Sequence, residues 1–194
     1  MHIAIEGLDG VGKTQTARRL AKQYGFQFVE KPLHYLTDVQ GMDNYLRMMN
    51  IINTTMDPDF QALYYGLGNL YLRRLTKGKH VVTDRDLCST YFWNKTKDNE
   101  MLFDELVRMC GLPDVIVILY ADAEVRRKRI LGRNANDPDL KEKILPDSSY
   151  KKMLEFVERY QAHYIWVDNS NLNLDETVQR IADAMEGKCD AYRG

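Results

Sequence analysis

The sequence lacks the features that mark secreted, membrane-spanning and nucleic-acid-binding proteins. Its three cysteines, Cys88, Cys110 and Cys189, are odd in number and far apart, so neither a disulfide framework nor a zinc site is indicated. No apolar run is long enough for a signal peptide or a membrane span. A formal net charge of −1 argues against a general binder of nucleic acid or membrane surfaces. We therefore expect a cytoplasmic protein.

The composition is typical of one globular domain. The chain has 194 residues, of which 44% are hydrophobic and 28% are charged, so it is long enough to bury a proper core. We find no internal repeat and no low-complexity segment. We expect residues 1–194 to form a single domain.

The most informative stretch is a glycine-rich turn between an apolar strand, Ile3–Glu6, and a helix that runs to Tyr24. The turn has the spacing of a phosphate-binding loop and the strand and helix that such a loop requires. Its glycines allow backbone N–H groups to surround a polyanion at the positive end of the helix dipole. The predicted nucleotide-binding residues are Gly7, Asp9, Gly10, Val11, Gly12, Lys13, Thr14 and Gln15.

Two side chains of this loop have predicted chemical roles. We expect Lys13 to reach the β- and γ-phosphates of a nucleotide as a mobile point charge. The hydroxyl of Thr14 is expected to ligate the Mg²⁺ that accompanies the nucleotide.

Strands and helices alternate along the whole chain. Right-handed crossovers then predict an α/β, three-layer fold with a parallel five-stranded sheet and helices on both faces. The other predicted strands are Phe26–Glu30, His80–Thr83, Val115–Tyr120 and Tyr164–Val167. The predicted helices are the later part of Leu33–Asn53, Pro58–Thr76, Asn99–Cys110, Ala123–Leu131, Ser149–Gln161 and Leu174–Glu186.

Charged residues follow two of these strands, at the edge where ligands bind to open parallel sheets. Glu30 and Lys31 precede Pro32, and they are either site residues or a charged strand end facing solvent. Asp84 is placed to hold the water shell of Mg²⁺, and Arg85 is a ligand for a phosphate or hydroxyl. A local salt bridge between Asp84 and Arg85 is the alternative.

A basic helix is followed by a segment rich in Gly, Asn, Asp and Pro, which is typical of a mobile lid over about residues 129–147. We expect Arg126, Arg127 and Lys128 to be solvated. Arg129 and Arg133 are four residues apart and share one side of the helix. We predict that Arg133, or otherwise Arg129, closes over a transferring phosphoryl group.

Four separated segments together resemble the thymidylate kinase family of P-loop phosphotransferases. They are Ile5–Thr14, Asp84-Arg85, Pro113-Asp114, and Glu124-Val125 with Arg129-Ile130 and Arg133. The resemblance implies Mg²⁺-dependent transfer of the γ-phosphoryl group of ATP to a deoxynucleoside monophosphate, most simply dTMP. It also implies that Asp9 contacts the acceptor sugar, Arg85 the acceptor phosphate and Asp84 the metal shell, with Arg133 in the lid. We further expect a homodimer.

One helix departs from the family pattern, because Gly68 stands near the place of an acceptor-binding arginine. Phe60-Gln61 instead resembles the deoxynucleoside kinases, so we expect Gln61, or Asn69 on the same helix, to read a base edge, with a solvated amide as the alternative. In those kinases a Glu before a Pro is the general base, a role open to Glu30. Phosphorylation of a nucleoside and a non-catalytic nucleotide-binding module therefore remain alternative functions.

Overall fold

The computed structural model describes residues 1–38, 40–133, 144–187 and 192–193. The predicted lid, residues 129–147, therefore lies partly outside the described residues. The strands are β1 His2–Gly7, β2 Gln27–Glu30, β3 Val81–Asp84, β4 Val115–Tyr120, β5 Tyr164–Asp168 and β6 Tyr192–Arg193. The helices are α1 Lys13–Tyr24, α2 His34–Thr37, α3 Asp43–Thr55, α4 Pro58–Leu75, α5 Leu87–Asn94, α6 Glu100–Cys110, α7 Ala123–Arg133, α8 Lys151–Arg159 and α9 Leu174–Met185.

The strands form one sheet in the order β2-β3-β1-β4-β5-β6. The first five strands of this order are parallel, which confirms the predicted parallel sheet, and β6 is a two-residue antiparallel addition to β5. In the register of the sheet Asp84 lies beside both Ile5 of β1 and Glu30 of β2. The carboxyl ends of β1, β2 and β3 therefore meet at one edge.

Helices cover both faces of the sheet. One face packs against α5, α6 and α8 through a core that includes Tyr91, Phe103 and Phe156. The opposite face packs against α1 and α9 through a core that includes Leu20 and Ile181. This burial on both faces explains why β4 is a continuous apolar run in the sequence.

Helix α5 was not predicted from the sequence. Seven of its eight residues are buried, so hydrophobic and polar positions do not alternate with a helical period. The side chain of Asp86 accepts a hydrogen bond from the backbone N–H of Leu87 at its start. Helix α5 therefore begins directly after the Asp84-Arg85-Asp86 turn.

The expectation that Arg126 is solvated was wrong. Its side chain is 1% exposed, and its guanidinium donates to the carbonyl of Ala121 at 2.9 Å and to that of Leu145 at 2.6 Å. It also contacts the Asp147 carboxylate at 3.0 Å. These partners lie before α7 and near the end of the predicted lid segment, so local sequence does not reveal them. Arg127 and Lys128 are exposed, as expected.

Within the described residues, we find no helix whose length and hydropathy would let it cross a membrane.

Candidate active site

The glycine-rich loop connects the end of β1 to the start of α1. Gly10 has φ +82°, and a Cβ there would lie 2.6 Å from the carbonyl oxygen of Arg126, so only glycine fits without displacing α7. Gly12, with φ +98°, is the N-cap of α1 and has no side chain to cap its first N–H groups. The loop thus directs free backbone donors of a twelve-residue helix to the carboxyl edge of the sheet.

Lys13 is buried beneath this loop. Its Nζ donates to the carbonyl oxygen of Leu8 at 2.9 Å and lies 3.4 Å from Oδ1 of Asp9. Burial lowers the pKa of Lys13 to about 8, and the nearby charge of Arg85 acts in the same direction. A polyphosphate bound by the loop would offset both effects, because its negative charge favours the protonated amine.

Asp9 and Arg85 form the centre of the site. Nη2 of Arg85 is 2.5 Å from Oδ1 of Asp9, the same oxygen that faces Lys13. Burial alone would raise the pKa of the Asp9 carboxyl, but the charges of Lys13 and Arg85 lower it below its usual value. One carboxylate therefore lies between a cation of the phosphate loop and a cation at the end of β3.

Asp84 and Thr14, the two predicted magnesium-binding residues, lie in contact. Oδ2 of Asp84 accepts a hydrogen bond from the Thr14 hydroxyl, whereas Oδ1 is buried without a hydrogen-bond partner. A buried carboxylate oxygen without a donor is costly, and a hydrated cation would satisfy it. Among the described residues, no group of three His, Cys, Asp or Glu side chains that could hold a metal ion occurs.

Glu30 and Lys31 lie at the end of β2, next to β3. The carboxylate of Glu30 accepts from Arg18 of α1 at 2.9 Å. Lys31 has a left-handed backbone, φ +44°, and an exposed side chain. The structure thus places both residues at the predicted edge, with Glu30 paired to an exposed arginine.

The two amides on α4 have structural partners. Nε2 of Gln61 donates to the carbonyl of Met56 at 2.8 Å and to that of Ile52 at 3.3 Å, and so it caps the C-terminus of α3. Asn69 is buried and donates to the hydroxyl of Thr90 at 3.1 Å. Base recognition by either amide stays a prediction.

Arg129 braces the phosphate loop. Its Nη1 is 3.0 Å from Oδ1 of Asn169 and 3.3 Å from the carbonyl of Val11, and its Nη2 donates to the carbonyl of Asn169 at 2.8 Å. Asn169 also donates to the Val11 carbonyl, at 2.9 Å. Arg133 is the last residue of α7, and its side chain lies outside the described part of the structure. Gln15 is exposed on α1.

Sequence reasoning missed Asn169, Tyr45 and Tyr65. Asn169 follows β5 and gives no motif. Tyr45 is buried, and the charge of Arg85 acts on its hydroxyl and on that of Tyr65. Burial nevertheless raises the pKa of both phenols. The two tyrosines lie on neighbouring helices, α3 and α4.

An open cavity of about 490 Å³ lies between α5 and the start of α8. The residues that line it are Phe92, Trp93, Leu145, Ser148, Ser149, Lys151, Lys152 and Glu155. Because α5 begins directly after the turn at Arg85, the cavity is about one helix length, roughly 12 Å, from that residue. Neither Gln61 nor Asn69 lines it.

Comparison with known proteins finds related sequences and similar structures. The chain is 25% identical over 187 residues to a probable thymidylate kinase of Methanocaldococcus jannaschii, and the match covers 93% of each sequence. Its structure is similar to that of thymidylate kinase from Candida albicans, with a TM-score of 0.66, 16% identity and coverage of 96% of this chain and 91% of that one. It is also similar to deoxyadenosine kinase from M. mycoides, with a TM-score of 0.64, 15% identity and coverage of 96% and 100%.

The sequence model of the thymidylate kinase family matches residues 5–181. This range begins in β1 and ends in α9, so it includes the phosphate loop, the Asp84-Arg85 turn and the basic helix α7. The chain belongs to the thymidylate kinase family.

Proposed function

We propose that this protein transfers the γ-phosphoryl group of ATP to a deoxynucleoside monophosphate, dTMP or a related pyrimidine nucleotide. The observation that carries the proposal is the contact of Asp9 with both Lys13, at 3.4 Å, and Arg85, at 2.5 Å. One cation belongs to the loop that binds the donor phosphates, and the other lies at the next strand end, where an acceptor phosphate can face it. The transferring group would lie between two fixed positive charges.

The donor side fits ATP with Mg²⁺. The loop N–H groups and Lys13 would hold the phosphates, and Thr14 and Asp84 would hold the magnesium shell. The metal supplies neutralisation of phosphate charge when it is bound. The chain's own contribution is to orient the phosphates and to keep Lys13 and Arg85 fixed, because phosphoryl transfer demands positioning and charge stabilisation rather than covalent catalysis.

The acceptor side favours a monophosphate over a nucleoside. A monophosphate brings about two negative charges, and their desolvation requires cations. Arg85 and Lys31 lie at the ends of the adjacent strands β3 and β2 and supply two. Their positive charge partly compensates for the lack of an acceptor-binding arginine near Gly68. Asp9, which contacts Arg85, would lie near the sugar hydroxyl of the acceptor.

Phosphorylation of a nucleoside 5′-hydroxyl is the second candidate, favoured by Gln61 and by Glu30 at the sheet edge. In that reaction Glu30 would be the general base. However, its carboxylate already accepts a hydrogen bond from Arg18 of α1 at 2.9 Å, so this contact competes with a bond to an incoming hydroxyl. This contact supports the monophosphate.

We expect kcat/KM to be at least about tenfold higher for dTMP than for thymidine, because a monophosphate gains charge-assisted hydrogen bonds that a nucleoside cannot make. Lys31→Ala should lower kcat/KM for dTMP by a few fold and leave thymidine unchanged. ADP release, measured with ATP, Mg²⁺ and a panel of nucleosides and monophosphates, tests both expectations.

Two results would decide otherwise. No ADP release above background with any acceptor would favour a non-catalytic nucleotide-binding module. A preference for the nucleoside, with Lys31→Ala harmless and Glu30→Gln inactive, would favour the nucleoside kinase. Lys22→Ala, which removes an exposed lysine from α1, controls for loss of surface charge.

We also propose that the protein is a homodimer formed through α4. Phe60, Leu63 and Leu67 are 47%, 51% and 52% exposed, and their spacing of three and four residues places them on one side of the helix. An apolar stripe on one helix can pack on its own copy across a two-fold axis. A second copy of the chain would bury all three.

Leu67→Asp is expected to convert the dimer to a monomer, since it places a charge in the apolar contact. Sedimentation equilibrium measures the change. Leu174→Asp, an equivalent substitution on the opposite face of the sheet, should leave the dimer intact. A wild-type protein that is monomeric at micromolar concentration would contradict the proposal.

The proposed enzyme is a single domain over residues 1–194 and acts in the cytoplasm. Cys88 and Cys110 are free and buried, which fits a reducing compartment.

A further inference from the structure

Glu6 is a buried carboxylate that the proposed chemistry leaves without a role. It is the penultimate residue of β1 and is 0% exposed. Burial raises the pKa of Glu6 to about 7, although a hydrogen bond from Ser89 and the charge of Arg85 oppose this effect. A buried carboxylate is costly to a fold unless donors satisfy it.

The donors to Glu6 come from the turn after β3 and from the start of α5. Oε1 accepts from the backbone N–H of Asp86 at 2.7 Å and from that of Ser89 at 3.3 Å, and Oε2 accepts from the Ser89 hydroxyl. The oxygen of that hydroxyl accepts in turn from Nη1 of Arg85, at 3.2 Å. A continuous chain of hydrogen bonds thus runs from Glu6 through Ser89 to the guanidinium of Arg85.

The backbone of this turn needs such support. Arg85 has φ +73°, a left-handed conformation that is unfavourable for a residue with a Cβ. The Glu6 carboxylate accepts a hydrogen bond from the N–H group of Asp86, the residue after Arg85. From the other side, Arg73 makes two hydrogen bonds of 2.9 Å to the carboxylate of Asp86. The turn is therefore fixed on both sides of Arg85.

We propose that Glu6 is a positioning residue that aims Arg85 at the acceptor phosphate. This inference rests on the proposed function, in which Arg85 binds that phosphate. Glu6 fixes the backbone on which Arg85 stands, and Ser89 holds one end of its guanidinium while Asp9 holds the other, at 2.5 Å. The Arg85 side chain then loses little conformational entropy when the acceptor binds.

Glu6→Gln and Ser89→Ala test the proposal. Glu6→Gln replaces one hydrogen-bond acceptor of Glu6 with a donor. Ser89→Ala removes the hydroxyl that connects Glu6 to Arg85. Each is expected to raise KM for dTMP by about tenfold, the equivalent of one lost buried hydrogen bond, and to leave KM for ATP within twofold of wild type. Because both act through one chain, the double variant should raise KM for dTMP no further than the larger single change.

The control is Thr76→Val, which removes a buried hydroxyl that donates to the carbonyl of Leu72 at the far end of α4. It should lower thermal stability without changing either KM. If Glu6→Gln does not fold, Ser89→Ala carries the test. Equal increases in KM for dTMP and ATP, or unchanged values in both variants of an active enzyme, overturn the positioning role. An inactive wild-type enzyme contradicts the proposed function instead.

Discussion

Lys13→Ala is expected to abolish turnover, with a fall in kcat of roughly a thousandfold or more. Lys13 is the buried cation of the phosphate loop, and its Nζ donates to the Leu8 carbonyl at 2.9 Å. Its removal takes positive charge from the β- and γ-phosphates, where charge stabilisation dominates the rate. Steady-state ADP release at saturating ATP and dTMP measures the loss.

Lys22→Ala is the matched control, because Lys22 lies on the same helix and is exposed. It should retain wild-type kcat. A Lys13→Ala enzyme that keeps more than about a tenth of wild-type kcat would remove Lys13 from the mechanism, since a loss so small is below that expected for a transition-state charge contact.

Arg133→Ala is expected to lower kcat by on the order of a hundredfold or more while ATP still binds. The reason is its predicted place in the lid, where a guanidinium would neutralise the migrating phosphoryl group. Arg133 ends α7, and Arg129, one turn earlier, is already bound to the carbonyls of Val11 and Asn169. We therefore predict the catalytic role for Arg133 rather than for Arg129.

Substitution of Arg129 and of Arg133 should therefore have different effects. Arg129→Ala breaks contacts that hold the phosphate loop, so it is expected to lower the thermal midpoint and weaken ATP binding together. Arg133→Ala should leave the thermal midpoint unchanged. Calorimetric titration with ATP and thermal melts of both variants distinguish them, with Arg127→Ala as the exposed control. Wild-type kcat in Arg133→Ala would contradict the lid assignment.

The sequence predicted the parts of the fold that depend on local patterns. Three features can be recognised from a few adjacent residues. They are the phosphate loop, the apolar run of β4 and the charged ends of β2 and β3. Their adjacency followed from the rule that parallel strands end at a common edge. Asp84 and Thr14 were accordingly predicted as a metal pair, and they lie in contact.

The missed features depend on partners that are distant in the sequence. Arg126 was assigned to solvent because the carbonyl of Leu145, its partner at 2.6 Å, is 19 residues further along the chain. Helix α5 lacked a helical pattern because it is buried on nearly all sides. The amide of Gln61 donates to a carbonyl at the end of α3 instead of facing solvent. This contact depends on the packing of α3 against α4, which local sequence does not show.

The burial of Arg126 also bears on how this enzyme can change in length. The chain leaves this guanidinium along α7 and returns to it at Leu145 and Asp147, so both ends of the intervening segment are fixed by one side chain. One buried side chain thus ties the chain just after β4 to the chain just before α8, so a change of length between residues 133 and 144 leaves both of these anchors in place.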